Sequence, residues 1–299
     1  MASSRDYVKL HFLVFLWGFS AILGKLVTIP AMEMVLYRAL FAAIGLGAVI
    51  FLSRGTFQVS GNDLVKLILV GFVVSLHWIA FFGSARVSNV SVSLVGFATN
   101  SLWAAILEPW FTKSKIKKFE LLLGIIVLTG LYIIFSFDFQ YKLGLALGIF
   151  AGFTSALFGV FNSALVKNIP ARTITFYEMT GVFIGTALFL PLHKLTWGSG
   201  EGLHLIPPAM DLFHIAVLAG VCSVYAYTVA VELMKRVSVF MIQLTLNLEP
   251  VYGIIMAVII FGQQEKMNLN FYIGTLVILG AVIAYPFLKK RFEKPVLID

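Results

Sequence analysis

The sequence predicts an all-α integral membrane protein of ten transmembrane helices in two inverted five-helix repeats. Three observations predict it: a composition too apolar for a soluble core, ten apolar runs of bilayer length, and positive charge gathered on alternate connections. Of 299 residues, 60% are hydrophobic and 12% charged, against roughly 25% charged in soluble domains. Mean hydropathy is +0.97. A soluble fold of this length leaves too much surface in water to hide so many apolar side chains. Lipid supplies the missing apolar solvent.

A run of about 20 apolar residues crosses the hydrocarbon core as a helix. Such runs lie at 10–28, 32–52, 64–85, 90–111 and 120–137, then at 143–165, 173–193, 212–233, 238–262 and 270–288. The first follows Arg5 and Lys9 as a signal peptide would, but it continues unbroken to about Val27 and equivalent runs follow, so it reads as a retained span. The connections carry Pro30, Gly55, Gly61, Asn89, Lys113 to Lys118, Asp138 and Pro170. The longest runs from Lys194 to Asp211 and holds Gly198, Gly200, Gly202, Pro207 and Pro208. No stretch is left for a soluble domain. The repeats are assigned to 1–140 and 141–299.

The net charge of +8 is distributed by side. Arg5, Lys9, Arg54, Lys66, Lys113, Lys115, Lys117, Lys118, Lys167, Arg172, Lys235, Arg236, Lys289, Lys290, Arg291 and Lys294 fall on the side of the N-terminus. The other side holds Lys25, Arg86, Lys142, Lys194 and Lys266. Positive charge marks the cytoplasm, so both termini are expected inside, which requires an even number of spans. The basic residues form no stripe with aromatics on a solvated face, which argues against nucleic acid as a partner. Cys222 is the single cysteine, so neither an intrachain disulfide nor a cysteine metal site is expected.

The halves echo each other. Ser20-Ala21-Ile22-Leu23-Gly24 in the first helix matches Ser155-Ala156-Leu157-Phe158-Gly159 in the sixth. Gly71 matches Gly220, and Gly124 and Gly130 match Gly274 and Gly280. Five helices is an odd number, so the second half enters the membrane upside down. Many secondary transporters are built this way, with the substrate site between the halves near the midplane.

The chain resembles the drug/metabolite transporter superfamily, in particular its ten-helix EamA-type carriers. The residues that carry the resemblance are Trp17-Gly18 with Ser20-Ala21, Tyr37-Arg38-Ala39, His77-Trp78, and Ser88-Asn89-Val90-Ser91-Val92. In the second half they are Leu248-Glu249-Pro250-Val251 followed by Phe261-Gly262-Gln263-Gln264-Glu265, with Gly274 to Gly280 beyond. The turn Gly-Gln-Gln-Glu departs slightly from the family's Gly-Glu-like ending. In the first half Thr99-Asn100 aligns with Glu249-Pro250, and a Glu108-Pro109 pair sits nine residues later, so the halves differ at the midplane. The resemblance implies a transporter of small organic metabolites such as amino acids, commonly an exporter, in a bacterial inner membrane, with no bound cofactor. Membrane lipid and a small-molecule substrate are the expected partners.

Ionisable groups near the bilayer centre cost roughly 2.5–3.5 kcal/mol on insertion scales, so depth ranks the candidate substrate-binding residues. Glu249 lies mid-helix beside Pro250, which removes a bond to the carbonyl of Leu246 and lets the helix bend. It would bind a cationic group, carry a proton, or bond to a neighbouring helix as a structural acid. Arg38, two turns into its helix, needs an anion: a substrate carboxylate or phosphate, or an internal partner such as Glu33 or Glu178. His77 relays protons or serves as a hydrogen-bonded core residue. Asn100 and Trp103 share one stripe, Gln243 and Asn247 another, to hold substrate or to join helices. Trp17, Trp78, Tyr37, Tyr177, Tyr225 and Tyr227 would together give a cavity aromatic walls, while any one of them would equally face lipid or join the interface belt. Lys25, Glu33, Glu108 and Glu232 sit near span ends, where Lys25 pairs with Glu33, and Glu232 with Lys235 or Arg236.

Two other classes, an intramembrane enzyme and a channel or assembly subunit, stand as alternatives to a carrier. An intramembrane enzyme acting on a lipid-linked substrate would show His-Glu-x-x-His or clustered aspartates, yet Asp6, Asp63, Asp138, Asp211 and Asp299 all lie at loops or ends. A channel or assembly subunit would show a filter-like loop or a ring of charge. Nor is there a Gly-rich phosphate loop ending in Lys. Alternating-access transport is the function expected; Glu249 and His77 point to proton coupling, and facilitated exchange is equally consistent with the sequence.

Overall fold

The computed structural model describes residues 3–135, 141–197, 206–262 and 268–292. Asp138, Gly198, Gly200, Gly202, Gln263, Gln264, Glu265, Lys266, Lys294 and Asp299 lie outside them. The described residues form helices and no strand. They build a ten-helix membrane protein: α1 (Ser4–Leu26), α2 (Ala31–Leu52), α3 (Gly61–Val87), α4 (Val90–Thr112), α5 (Lys118–Phe135), α6 (Lys142–Leu165), α7 (Ala171–Trp197), α8 (Ala209–Leu233), α9 (Val239–Phe261) and α10 (Leu269–Phe292). Ile44, Leu69, Ile125, Leu188, Ile259 and Leu276 point outward, as helices bathed in lipid require.

Local chemistry sets the ends. The Ser3 side chain and Asp6 form a reciprocal cap at the start of α1, satisfying donors that a helix start leaves open. The Ser60 and Asn89 side chains cap α3 and α4 by accepting from the Asp63 and Val92 amides. Pro30 and Pro208 precede α2 and α8, where a missing N–H costs nothing.

The packing is that of an inverted repeat. α5 lies along α10, α2 along α7, and α4 crosses α9, each helix meeting its own counterpart. The crossing is antiparallel: the first half of α4 meets the second half of α9, and the reverse. α3 packs on α6 as α8 packs on α1.

Both crossing helices are broken. α4 divides into Val90–Phe97 and Asn100–Thr112, and α9 into Val239–Leu246 and Glu249–Phe261. At each break the backbone tightens to bonds three residues apart, Thr99 to Gly96 and Leu248 to Thr245. Asn100 and Glu249 are therefore equivalent, each opening a second half, which is one residue from the pairing that sequence alignment suggests. α8 also departs from expectation, since Leu218–Tyr227 is π-helical.

Each end of the bundle is tied. Asp6 takes three bonds from Arg236 at 2.9 to 3.3 Å, and this bond raises the Arg236 guanidinium above its ordinary range. Nearby, Glu108 accepts from the Val239 and Phe240 amides at 3.2 and 2.8 Å, a carboxylate at the positive end of a helix. At the opposite end Asp211 accepts from the Thr28 and Ile29 amides, at 3.0 Å or slightly more, and from the Thr28 hydroxyl at 2.8 Å. Glu232 pairs with Lys235 at 3.0 Å, one of the two partners expected for it.

Candidate functional site

A cavity of about 70 Å³ lies between the repeats. Arg38 enters it from α2. Its guanidinium stacks on Trp78 of α3, 3.8 Å from the ring centre, with Phe82 at 5.6 Å. Nε donates to Ser223 Oγ at 2.9 Å, which fixes the plane of the fork. A cation held between rings keeps much of its stabilisation without water. Glu249 reaches the same cavity from the break in α9. The two side chains are 3% exposed each, and their charges act on each other. Yet no ion pair within 4.0 Å joins them among the described residues.

His77 closes another wall. Its Nδ1 lies 2.8 Å from the Ala151 carbonyl. A carbonyl only accepts, so Nδ1 carries the hydrogen and Nε2 is the free acceptor. Its ring sits among Phe81, Phe97 and Phe158. Trp17 donates to the Cys222 carbonyl at 3.1 Å, inside the π-helical stretch of α8. Gln243 also lines the cavity and joins α9 to α6, donating to the Ser155 carbonyl at 2.9 Å while Ser155 Oγ donates back at 3.2 Å.

Of the residues expected from the sequence, Trp17, Arg38, His77, Trp78, Tyr227, Gln243 and Glu249 come together around this cavity. Five do not line it. Asn247 donates to Ser101 Oγ at 2.8 Å and bridges the two breaks. Trp103 packs edge-on against Phe153, Asn100 is wholly buried beside the α4 break, and Tyr37 is half-buried in the core. Glu178 stands behind the wall, accepting from the Tyr227 hydroxyl at 2.9 Å. The aromatic list also needs correction. Tyr177 is held away by a 2.8 Å bond to the Phe57 carbonyl, and Tyr225 points outward at 48% exposure.

Sequence reasoning missed Ser20, Ser155, Phe158 and Cys222 as lining residues, and Ser223 as the group that fixes Arg38. The one usable signal was the Ser-Ala motif shared by α1 and α6, which carries Ser20 and Ser155 to the cavity.

The EamA-like transporter family model matches residues 8–136 and again 142–285. The chain belongs to the EamA-like transporter family. This membership fits the drug/metabolite transporter superfamily and makes the chain a multi-pass membrane protein. A solved structure, described only as the crystal structure of a protein, superposes with a TM-score of 0.70 at 15% identity. That match covers 98% of this chain and 100% of the other; at so low an identity it speaks to the fold alone. Comparison with curated proteins gives no sequence match. The membership makes this EamA-like transporter a mover of small molecules.

Proposed function

We propose that this EamA-like transporter is a secondary carrier that exports small zwitterionic metabolites, amino acids foremost, by alternating access coupled to protons. The supporting observation is the pair of opposite charges facing one cavity without touching. Arg38 Nε is taken by Ser223, while its two terminal nitrogens make no hydrogen bond among the described residues. That fork suits a carboxylate, which it can hold with two parallel bonds. Glu249 offers the complementary pole for an ammonium group. The aromatic walls and the Ile242 and Leu246 side chains suit an apolar substituent between them.

Volume bears on size and mechanism. Drug-sized ligands occupy pockets of about 300–1,000 Å³, so the cavity as it stands suits a closed state and a small solute. Rocking of one repeat against the other would open it to either side. Positive charge on the N-terminal side supports cytoplasmic termini, and the family resemblance supports a bacterial inner membrane as the setting.

The test is uptake of labelled solutes into proteoliposomes, comparing a neutral amino acid with its decarboxylated amine and its deaminated acid. The amino acid is expected to be carried best. Arg38→Ala should weaken competition by the acid and spare the amine, and Glu249→Gln should do the reverse. Transport of the bare amine undiminished by Glu249→Gln, or competition by the acid undiminished by Arg38→Ala, would sink the two-pole reading.

A further inference from the structure

Behind the cavity wall, three polar side chains from three helices form a cluster. Glu178 of α7 and Asn162 of α6 are both 0% exposed. Tyr227 of α8 donates its hydroxyl to Glu178 Oε2 at 2.9 Å. Asn162 Nδ2 donates to the same oxygen at 3.3 Å and to the tyrosine oxygen at 3.1 Å. Every donor in the cluster thus converges on one carboxyl oxygen. The other, Oε1, is buried with no hydrogen-bond partner, and so is Asn162 Oδ1.

Two bare acceptors in one buried carboxyl–amide pair lack a single donor. An unsatisfied buried acceptor costs about 1–3 kcal/mol, more if charged. Among the described residues, no charged group on the neighbouring helices acts on Glu178. On α2, Arg38 is engaged with Ser223 and Trp78, and Glu33 is itself acidic. On α3, His77 is bonded to Ala151, Asp63 and Lys66 pair with each other, and Arg86 binds the carbonyls of Gly24 and Val27. On α8, Glu232 pairs with Lys235. Among the described residues, Tyr227 and Asn162 are the groups that act on the Glu178 carboxyl. One proton on Oε1 supplies the missing donor. It turns one of the two bare acceptors into a donor, on a carboxyl whose Oε2 already takes the Asn162 Nδ2 hydrogen bond.

We propose that Glu178, Asn162 and Tyr227 form the site that holds the coupling proton, separate from the substrate poles at Arg38 and Glu249. This rests on the proton-coupled carrier reading above and moves the proton from Glu249 or His77 to Glu178. Tyr227 links the two sites. Its ring lines the cavity against Phe158, while its hydroxyl is bonded to Glu178. A solute that displaces the ring changes the number of donors at the carboxyl. The step is an acid dissociation: the Glu178 O–H breaks, its electron pair stays on the carboxylate, and the proton passes to water on whichever side is open. Tyr227 keeps its own proton.

The test uses the full chain in proteoliposomes. At neutral pH the infrared spectrum is expected to contain the carbonyl stretch of a buried protonated carboxylic acid, lost in Glu178→Gln and kept in Glu249→Gln. A pH gradient is expected to change amino-acid accumulation by about tenfold in the parent protein, within the usual span of coupled equilibria. Glu178→Gln should lose this response yet still exchange labelled for unlabelled amino acid at equal pH. Asn162→Leu should lose the same response, and serves if the glutamine variant does not fold. Persistence of the infrared band in Glu178→Gln, an unchanged gradient response, or accumulation driven by sodium would overturn the proposal. If the parent carries no amino acid, the substrate reading fails, and the infrared band still decides the proton site.

Discussion

Arg38 shows how much one buried cation depends on its surroundings. It is held by a planar ring below, a hydroxyl at the side and a carboxylate across the cavity, and each acts through a different feature of the guanidinium. Lysine has the charge but neither the plane nor the fork. Arg38→Lys is therefore expected to transport almost as poorly as Arg38→Ala, measured by initial uptake rates. Trp78→Leu keeps the charge and removes the stacking surface. A cation–π contact contributes about 0.5–2 kcal/mol, so the apparent KM should rise by roughly 2- to 30-fold with protein yield unchanged. Tyr225 and Tyr227 make the same point by contrast. Two residues apart and chemically identical, one faces outward at 48% exposure and the other lines the cavity at 6%.

At the scale of elements, the site exists because two helices are interrupted and others cross closely. The break in α9 puts Glu249 in the first turn of a half-helix, whose positive end favours a carboxylate. Asn247 and Ser101 bind the two breaks to each other. Removing an interhelical hydrogen bond of this kind costs roughly 0.6–2 kcal/mol, so Asn247→Leu should lower the unfolding temperature in detergent. The α3–α7 crossing is closer still. A Cβ on Gly71 would meet the Glu178 carbonyl oxygen and come within 2.7 Å of the Gly181 Cα, both backbone atoms that cannot swing aside. Overpacking of this sort costs typically 1–3 kcal/mol. Gly71→Ala should therefore reduce thermal stability, and because it pushes on the Glu178 helix it should also weaken the pH-gradient response.

The whole molecule is two similar units joined by ties of unlike chemistry. On the N-terminal side Asp6 grips Arg236 and Glu108 caps α9; on the other, Asp211 holds the α1–α2 connection. A carrier must release one end while keeping the other. The single cysteine offers a direct reading of this cycle, since Cys222 lies in the cavity wall and is 1% exposed. A small thiol reagent should label it slowly, and saturating amino acid should change the rate. Cys222→Ala should remove the label and keep uptake. A labelling rate indifferent to substrate would show that the cavity does not change shape during transport.

Span number, the charge asymmetry between sides and the two-fold repetition were open to reading from sequence because they depend on local sums. Transfer of a helix into lipid is settled by the residues within that helix, and a charged connection stays where its own charge places it. Glu249, Arg38 and His77 were legible for the same reason, since an ionisable group at mid-span is costly wherever the helix turns. Which face of each helix looks inward was not local. It depends on partners far along the chain, such as Trp17 bonded to the Cys222 carbonyl 205 residues away. In α8 the π-helical stretch also shifts the angular register, which the sequence does not announce. Nor does sequence alone separate Glu178, bonded behind the wall, from Glu249, open to the cavity. The difference lies in three hydrogen bonds among α6, α7 and α8, and tertiary packing alone brings those groups within reach.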